Sequence, residues 1–186
     1  MGELESLAQK GLITLLYGDE SHVCSEGYVP YGWQFPDEEV FIPVQKGYRL
    51  NCWGLISRQY EHELNQCYWS ATTNNIDAQY ILESLDMLSF NIHRDTFVVL
   101  DNASIHKAKI IQDRIPYWQK RGLYIFYLPT YSPQLNIAET MWRHLKGGWI
   151  KPEDYFDNDS LAYALNRCMS NIGINLKIDF KPFNEN

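Results

Sequence analysis

No stretch of these 186 residues stays apolar for the roughly 20 positions that a bilayer-spanning helix needs. The opening Met1-Gly2-Glu3-Leu4-Glu5 has no basic segment ahead of its apolar stretch, so no secretory signal is expected. Cysteines number four, at Cys24, Cys52, Cys67 and Cys168, with no CxxC pair among them. Their dispersal predicts reduced thiols in a cytoplasmic protein, not a zinc knuckle or a disulfide framework. Positive charge is short too: 16 Lys and Arg stand against 23 Asp and Glu, a net charge of -7. That balance argues against a chain that finds nucleic acid unaided, because phosphate contacts require Lys and Arg. HExxH, the Walker loop and GxGxxG are all missing, which removes the commonest metalloprotease and nucleotide-binding readings.

What is present is an ordinary globular composition, 45% hydrophobic and 21% charged, in a chain long enough to bury a core. Trp33, Trp53, Trp69 and Trp142 are expected as core or loop anchors. Leu12 to Tyr17 reads as a core strand with a polar exit at Gly18-Asp19-Glu20-Ser21. A loop is expected from Glu26 to Asp37, rich in Gly and Pro, followed by strands at Val40–Pro43, Arg49–Ser57 and Gln66–Ser70 in an antiparallel meander. The period then changes. Ile76, Tyr80, Ile81, Leu85 and Leu88 recur at helical spacing, with Thr73 or Asn74 as the N-cap. Phe97–Leu100 is the next strand, and Ile105–Lys120 a basic amphipathic helix that Pro116 should end or kink. Leu123–Leu128 is apolar enough to be covered on both faces. Helices follow at about 136–146 and 160–172, and the tail after Asn175 has no clear pattern. The order predicts an α/β fold, a mixed five-stranded sheet with helices on both faces, as one domain over residues 1–186.

Three acidic positions fall where such a sheet could gather them. Asp101 follows an apolar strand directly, the place where open α/β sheets put their sites. Asp19 leaves the first strand, with Glu20 competing for the same role, and Glu139 opens a later helix. If the first and fourth strands are neighbours, Asp19 and Asp101 emerge side by side. Two carboxylates about 4 Å apart repel by roughly 4 kcal/mol at an effective dielectric near 20, so gathering three calls for cations or protonation. Such a cluster suits phosphodiester chemistry, in which two divalent ions roughly 3.5–4 Å apart clamp the attacking and leaving oxygens. The simpler alternatives are a turn cap at Asp19 and a capping box of Asn136 with Glu139. Lys107, Lys109, Arg114, Lys120 and Arg121 form a basic stretch, and Arg143, His144 and Lys146 follow Glu139 closely. These could touch phosphates or simply be solvated. Ser104 and His106 beside Asp101 lack any oxyanion-loop signal, so a hydrolase triad is set aside.

Asp101-Asn102 after an apolar strand, His106-Lys107 next, and then Leu128-Pro129-Thr130-Tyr131-Ser132-Pro133-Gln134-Leu135-Asn136-Ile137-Ala138-Glu139 together resemble the signature of DDE-superfamily transposases. Within these the pattern is similar to bacterial insertion-sequence enzymes related to the mariner group. Tyr17-Gly18-Asp19-Glu20-Ser21 resembles their first acidic block, and the resemblance runs from about Leu12 to Trp149. It implies an RNase H-like fold, with Asp19, Asp101 and Glu139 as catalytic metal ligands for Mg²⁺ or Mn²⁺, two ions in all. It further implies cleavage and strand transfer at transposon ends in double-stranded DNA by a homodimer in a synaptic complex. His106, Lys107, Arg143 and Lys146 are the candidate DNA contacts. Family members usually carry N-terminal helix-turn-helix domains, and this chain begins almost at the first catalytic strand, so a separate recognition domain is expected. The competing readings are an inactive or truncated remnant, and another RNase H-like nuclease.

Overall fold

A computed structural model describes residues 1–24, 48–61, 63–129 and 132–180. The expected loop at 26–37, the expected strand at Val40–Pro43, Trp33, and Thr130 and Tyr131 of the long motif lie outside them. Five strands, β1 (Thr14–Cys24), β2 (Arg49–Ile56), β3 (Cys67–Thr72), β4 (Thr96–Leu100) and β5 (Leu123–Tyr127), form one sheet in the order β3-β2-β1-β4-β5. β2 and β3 are antiparallel, as the meander predicts, and β2 is also antiparallel to β1; β4 runs parallel to both β1 and β5.

The side-chain period of two sorts the central strands onto two faces. Leu16, Trp53, Leu55, Val98 and Leu100 pack against α2 (Ala78–Asn91) and α3 (Lys109–Gln119). Leu15, Tyr17, Cys52 and Val99 face α1 (Gly2–Gln9), α4 (Ala138–His144) and α5 (Asn158–Ser170). Helices therefore cover both faces, as expected. None of the described helices is long and apolar enough to cross a membrane.

Several local expectations need correcting. β1 does not stop at Tyr17. It continues through Cys24 because β2 pairs with it from Tyr17↔Ile56 to Cys24↔Arg49, and this places Asp19 within the strand. The N-cap of α2 is Asp77, whose Oδ1 accepts the Tyr80 N–H at 2.9 Å; Thr73 and Asn74 lie too early. α3 begins at Lys109, after a turn over residues 104–107, and runs through Pro116 without ending. That proline is exposed, so water can serve the carbonyl its missing N–H leaves. β5 is an edge strand, and beyond Leu123 its residues are only partly buried: Phe126 packs on one core and Ile125 and Tyr127 on the other, so the cover on each face is partial.

The sequence also hid two attachments. Glu5 of α1 accepts from Tyr17 Oη, from Arg58 Nε at 2.8 Å and from Tyr60 Oη at 2.9 Å, which pins α1 to the sheet. The stretch after Asn175, lacking regular structure as its pattern suggests, is nevertheless packed: Ile178 is buried and Arg58 donates to the Phe180 carbonyl at 3.2 Å. Gly173 makes that path possible. It has φ +80°, and a Cβ there would stand 2.1 Å from the Asn65 carbonyl oxygen. Gly173→Ala should therefore cost about 2–4 kcal/mol, adding left-handed backbone strain to overpacking against a backbone atom. Urea unfolding checks this, and an unchanged midpoint would contradict the packing described.

Candidate active site

The parallel register of β1 and β4 creates the site. Leu16 pairs with Val98 and Tyr17 with Val99, and the same register carried two residues further sets Asp19 beside Asp101. β4 ends at Leu100, so Asp101 leaves the strand with its side chain half exposed (50%). Its Oδ1 accepts the Ala103 N–H at 2.9 Å and meets His106 Nδ1 at 2.7 Å. Both contacts engage the same oxygen.

Glu139 lies in the first turn of α4, which packs across β1 and β2. Asn136 fixes that helix start: its Nδ2 donates to the Gly18 carbonyl at 2.9 Å, and its Oδ1 accepts the Ala138 N–H at 3.1 Å. The capping-box expectation is not met: the N-cap of α4 is Ile137, and the N–H that Asn136 accepts is that of Ala138, not of Glu139. This is one hand of Asn136. Its other hand reaches the strand residue immediately before Asp19. Asn102 plays a similar part on the far side, donating to the Leu128 carbonyl and tying the turn after β4 to the end of β5.

The electrostatics report how close the acids stand. Asp19 is pushed up to about 7, first by burial and then by the charges of Glu20, Asp101 and Glu139. Glu139 is also raised, by burial and by Asp101, with Arg143 pulling the other way. Burial of the His106 ring lowers its basicity, but Glu20 and Asp101 outweigh that and the net shift is upward. Since both ring nitrogens face carboxylate oxygens, both must donate for the two contacts to be attractive. An open cavity of about 370 Å³ adjoins the acids, lined by Asp19, Glu20, Ser21, Glu139, Trp142, Arg143 and Lys146.

Three carboxylates drawn together in this way form a hard-oxygen donor set of the kind a divalent cation takes. Among the described residues no group of three His, Cys, Asp or Glu side chains already stands at ligating distance. The set fits such an ion in chemistry and in exposure, not as a finished cage.

The flanking candidates divide. Lys107 and Arg143 are exposed; Lys146, half-buried, donates from Nζ to Ser21 Oγ at 3.1 Å and so sits at the rim of the cavity. His106, expected as a DNA contact, is wholly buried, so it cannot reach a phosphate; it joins Asp101 to Glu20 instead. Glu20 was visible in the sequence only as a rival to Asp19. Alternation along an extended strand separates the two, giving Asp19 the α4 face and Glu20 the α3 face. Trp53 and Trp142 are core anchors as expected, 1% and 3% exposed, each with an indole N–H that finds no acceptor among the described residues.

A mixed sheet in this order, helices on both faces and acids at adjoining parallel strands define an RNase H-like core, the class to which transposase and integrase catalytic cores belong. The fold is similar to a Mos1 transposase paired-end complex with left transposon end (TM-score 0.60, 14% identity, covering 90% of this chain and 51% of that one). It is likewise similar to the Mos1 mariner paired-end complex with Mn (TM-score 0.60, 15% identity, 90% and 52%) and to the catalytic core domain of BIV integrase (TM-score 0.53, 13% identity, 89% and 86%). The chain spans about half the length of the Mos1 chains it matches. No curated protein matches it. A family model described as DDE superfamily endonuclease matches residues 14–162, and the chain belongs to that family.

Proposed function

We propose that this chain is the catalytic part of a transposase, cutting double-stranded DNA at transposon ends and joining the freed end to target DNA. The observation that carries the proposal is the convergence of Asp19, Asp101 and Glu139, each from a different element, beside an open cavity with cations at its rim. Two ions of Mg²⁺ or Mn²⁺ would be held by these three carboxylates, and when bound they supply Lewis-acid polarisation of the phosphoryl oxygens and a more acidic water. The Mn carried by one Mos1 complex supports that choice.

The chain's own residues do the rest. Asp101 keeps Oδ2 clear of its internal hydrogen bonds, and Asn136 holds α4, hence Glu139, against β1. Arg143, Lys146 and Lys107 offer positive charge to the phosphates on either side of the scissile bond. Water adds to phosphorus and the bond to the 3′ oxygen breaks, which leaves a 3′-hydroxyl and a 5′-phosphate. That hydroxyl then attacks a target phosphodiester, exchanging one P–O bond for another, with no covalent protein–DNA intermediate. With a net charge of -7 the catalytic unit has little general affinity for DNA, so a separate recognition domain and pairing of two copies on the two ends complete the reading.

The test is nicking of supercoiled plasmid DNA. Nicking should require Mg²⁺ or Mn²⁺, stop with EDTA, and disappear in Asp101→Asn with the circular dichroism spectrum unchanged. Undiminished nicking by Asp101→Asn would overturn the site assignment. Cleavage of an RNA–DNA hybrid in preference to duplex DNA would favour an RNase H-like hydrolase, and no cleavage of either a non-catalytic remnant.

A further inference from the structure

We infer that Glu20 and His106 act together as a positioning relay that decides which oxygen of Asp101 faces the reacting centre. The inference rests on Asp101 being a cation ligand. A residue just past a strand end, with its side chain half exposed, has little to stop its carboxylate from turning. Here Oδ1 is taken by the Ala103 N–H at 2.9 Å and His106 Nδ1 at 2.7 Å, so Oδ2 is the oxygen left for a cation.

His106 is held in its turn. Nε2 meets Glu20 Oε1 at 3.0 Å, the ring lies 5.8 Å from the Trp53 ring, and the His106 carbonyl accepts from Tyr127 Oη at 2.8 Å. The ring is 0% exposed, so neither nitrogen has water to turn to. A histidine and a glutamate needed only for packing would be served as well by two apolar side chains, since replacing a whole buried ion pair in that way is often neutral or stabilising. Ligand-orienting partners of this kind, one bond behind the metal, are the usual means of fixing a carboxylate.

The chain path adds a consequence. Asp19 and Glu20 are neighbours in β1, one on each face, so one strand supplies a ligand directly and orients a second ligand from behind. Glu20 is thereby a positioning residue although it is adjacent to a ligand in sequence.

Mn²⁺ affinity in the absence of DNA, measured by electron paramagnetic resonance of free Mn²⁺, tests the relay alongside the melting temperature without metal. His106→Leu keeps the apolar bulk and removes both donors; because it leaves Glu20 without its partner the melting temperature should fall, and its Mn²⁺ affinity should fall about 10-fold or more. His106→Asn, whose Nδ2 can stand in for Nδ1 toward Asp101, should recover most of that loss. Should His106→Leu not fold, Glu20→Gln tests the other end of the relay and should weaken Mn²⁺ binding in the same direction. Wild-type affinity in a folded His106→Leu or in Glu20→Gln would overturn the relay. So would equal losses in His106→Leu and His106→Asn. If wild-type protein binds no Mn²⁺, or Asp101→Asn binds it undiminished, the ligand reading fails and the relay with it.

Discussion

Asp19→Asn is expected to make the metal-free protein more stable at pH 8 while lowering metal-dependent cleavage by about 10³-fold or more. The first effect follows from the site's charge. Asp19 is pushed up to about 7 in the fold, against an ordinary carboxyl near 3.8, by burial, Glu20, Asp101 and Glu139. A raised folded value means the folded chain holds this proton more tightly than the unfolded chain does. The stability it contributes is complete below the ordinary value, and it drains away as pH rises from about 4 to about 7. Above that range the ionised group costs up to ~4 kcal/mol, with about half of that a fair expectation after relaxation and solvent screening. Asparagine carries no charge at any of these values. Urea unfolding in EDTA should therefore show Asp19→Asn gaining on wild type from pH 5 to pH 8, and Mg²⁺ should reverse the order by stabilising only the wild type. The second effect comes from losing a ligand, since several kcal/mol of transition-state stabilisation are at stake and each 1.36 kcal/mol is tenfold in rate. A variant that is both less stable at pH 8 and still active would show that the carboxylates are not gathered as described.

Much of this site was legible before any coordinates, and the reasons differ residue by residue. Asp101 could be read because an apolar β-rich run stops abruptly at a charge. Its neighbour Asp19 could be paired with it on the condition that the first and fourth strands are neighbours, and β1 and β4 are adjacent and parallel. The bounds of β1 could not be read, since strand length depends on pairing with β2, and pairing is non-local: the polar Gly-Asp-Glu-Ser run resembles an exit when seen without its partner strand. The same blindness hid His106. Its sequence position beside basic residues suggested a surface, whereas its burial is decided by Glu20, 86 positions away, and by the ring of Trp53. Asn136 shows the intermediate case. That it serves the start of α4 is local and was visible, although its partner is Ala138 and not Glu139; its bond to Gly18, 118 positions away, was not. The β5 edge was missed because strong apolarity marks burial on average, and the tally of covering elements belongs to the whole sheet. What could have been asked of the sequence is why two acids sit together in the continuation of an apolar strand. Alternation already sends them to opposite faces, so each needs its own partner.

Gly54→Ala should lower stability and cleavage together, although it alters no acid. Gly54 faces Asp19 across the β1–β2 ladder, so its missing side chain lies under α4. A Cβ there would stand 2.8 Å from Met141 Cε, 2.8 Å from Trp142 Cζ2 and 2.9 Å from Trp142 Cη2. The thioether can swing aside, but the buried indole is rigid, and the added methyl would act as a wedge between sheet and helix. Trp142 and Glu139 are three residues apart on α4 and share a side of it, so lifting one lifts the other. Overpacking of this kind costs about 1–3 kcal/mol, and a displacement near 1 Å at a reacting group can cost about 10²-fold in rate. Thermal unfolding and plasmid nicking would measure the two losses. Gly147→Ala is the contrast, because nothing lies within 4 Å of its Cβ position and the exchange should be neutral or stabilising by up to about 1 kcal/mol. The cause can be isolated by adding Trp142→Phe to Gly54→Ala. That change removes the crowding Cζ2 and Cη2 atoms and sacrifices no protein hydrogen bond, since the indole N–H has no partner among the described residues. Recovery of nicking in the double variant would tie the loss to the seat of Glu139 and not to general instability; a double variant as inactive as Gly54→Ala would contradict the wedge.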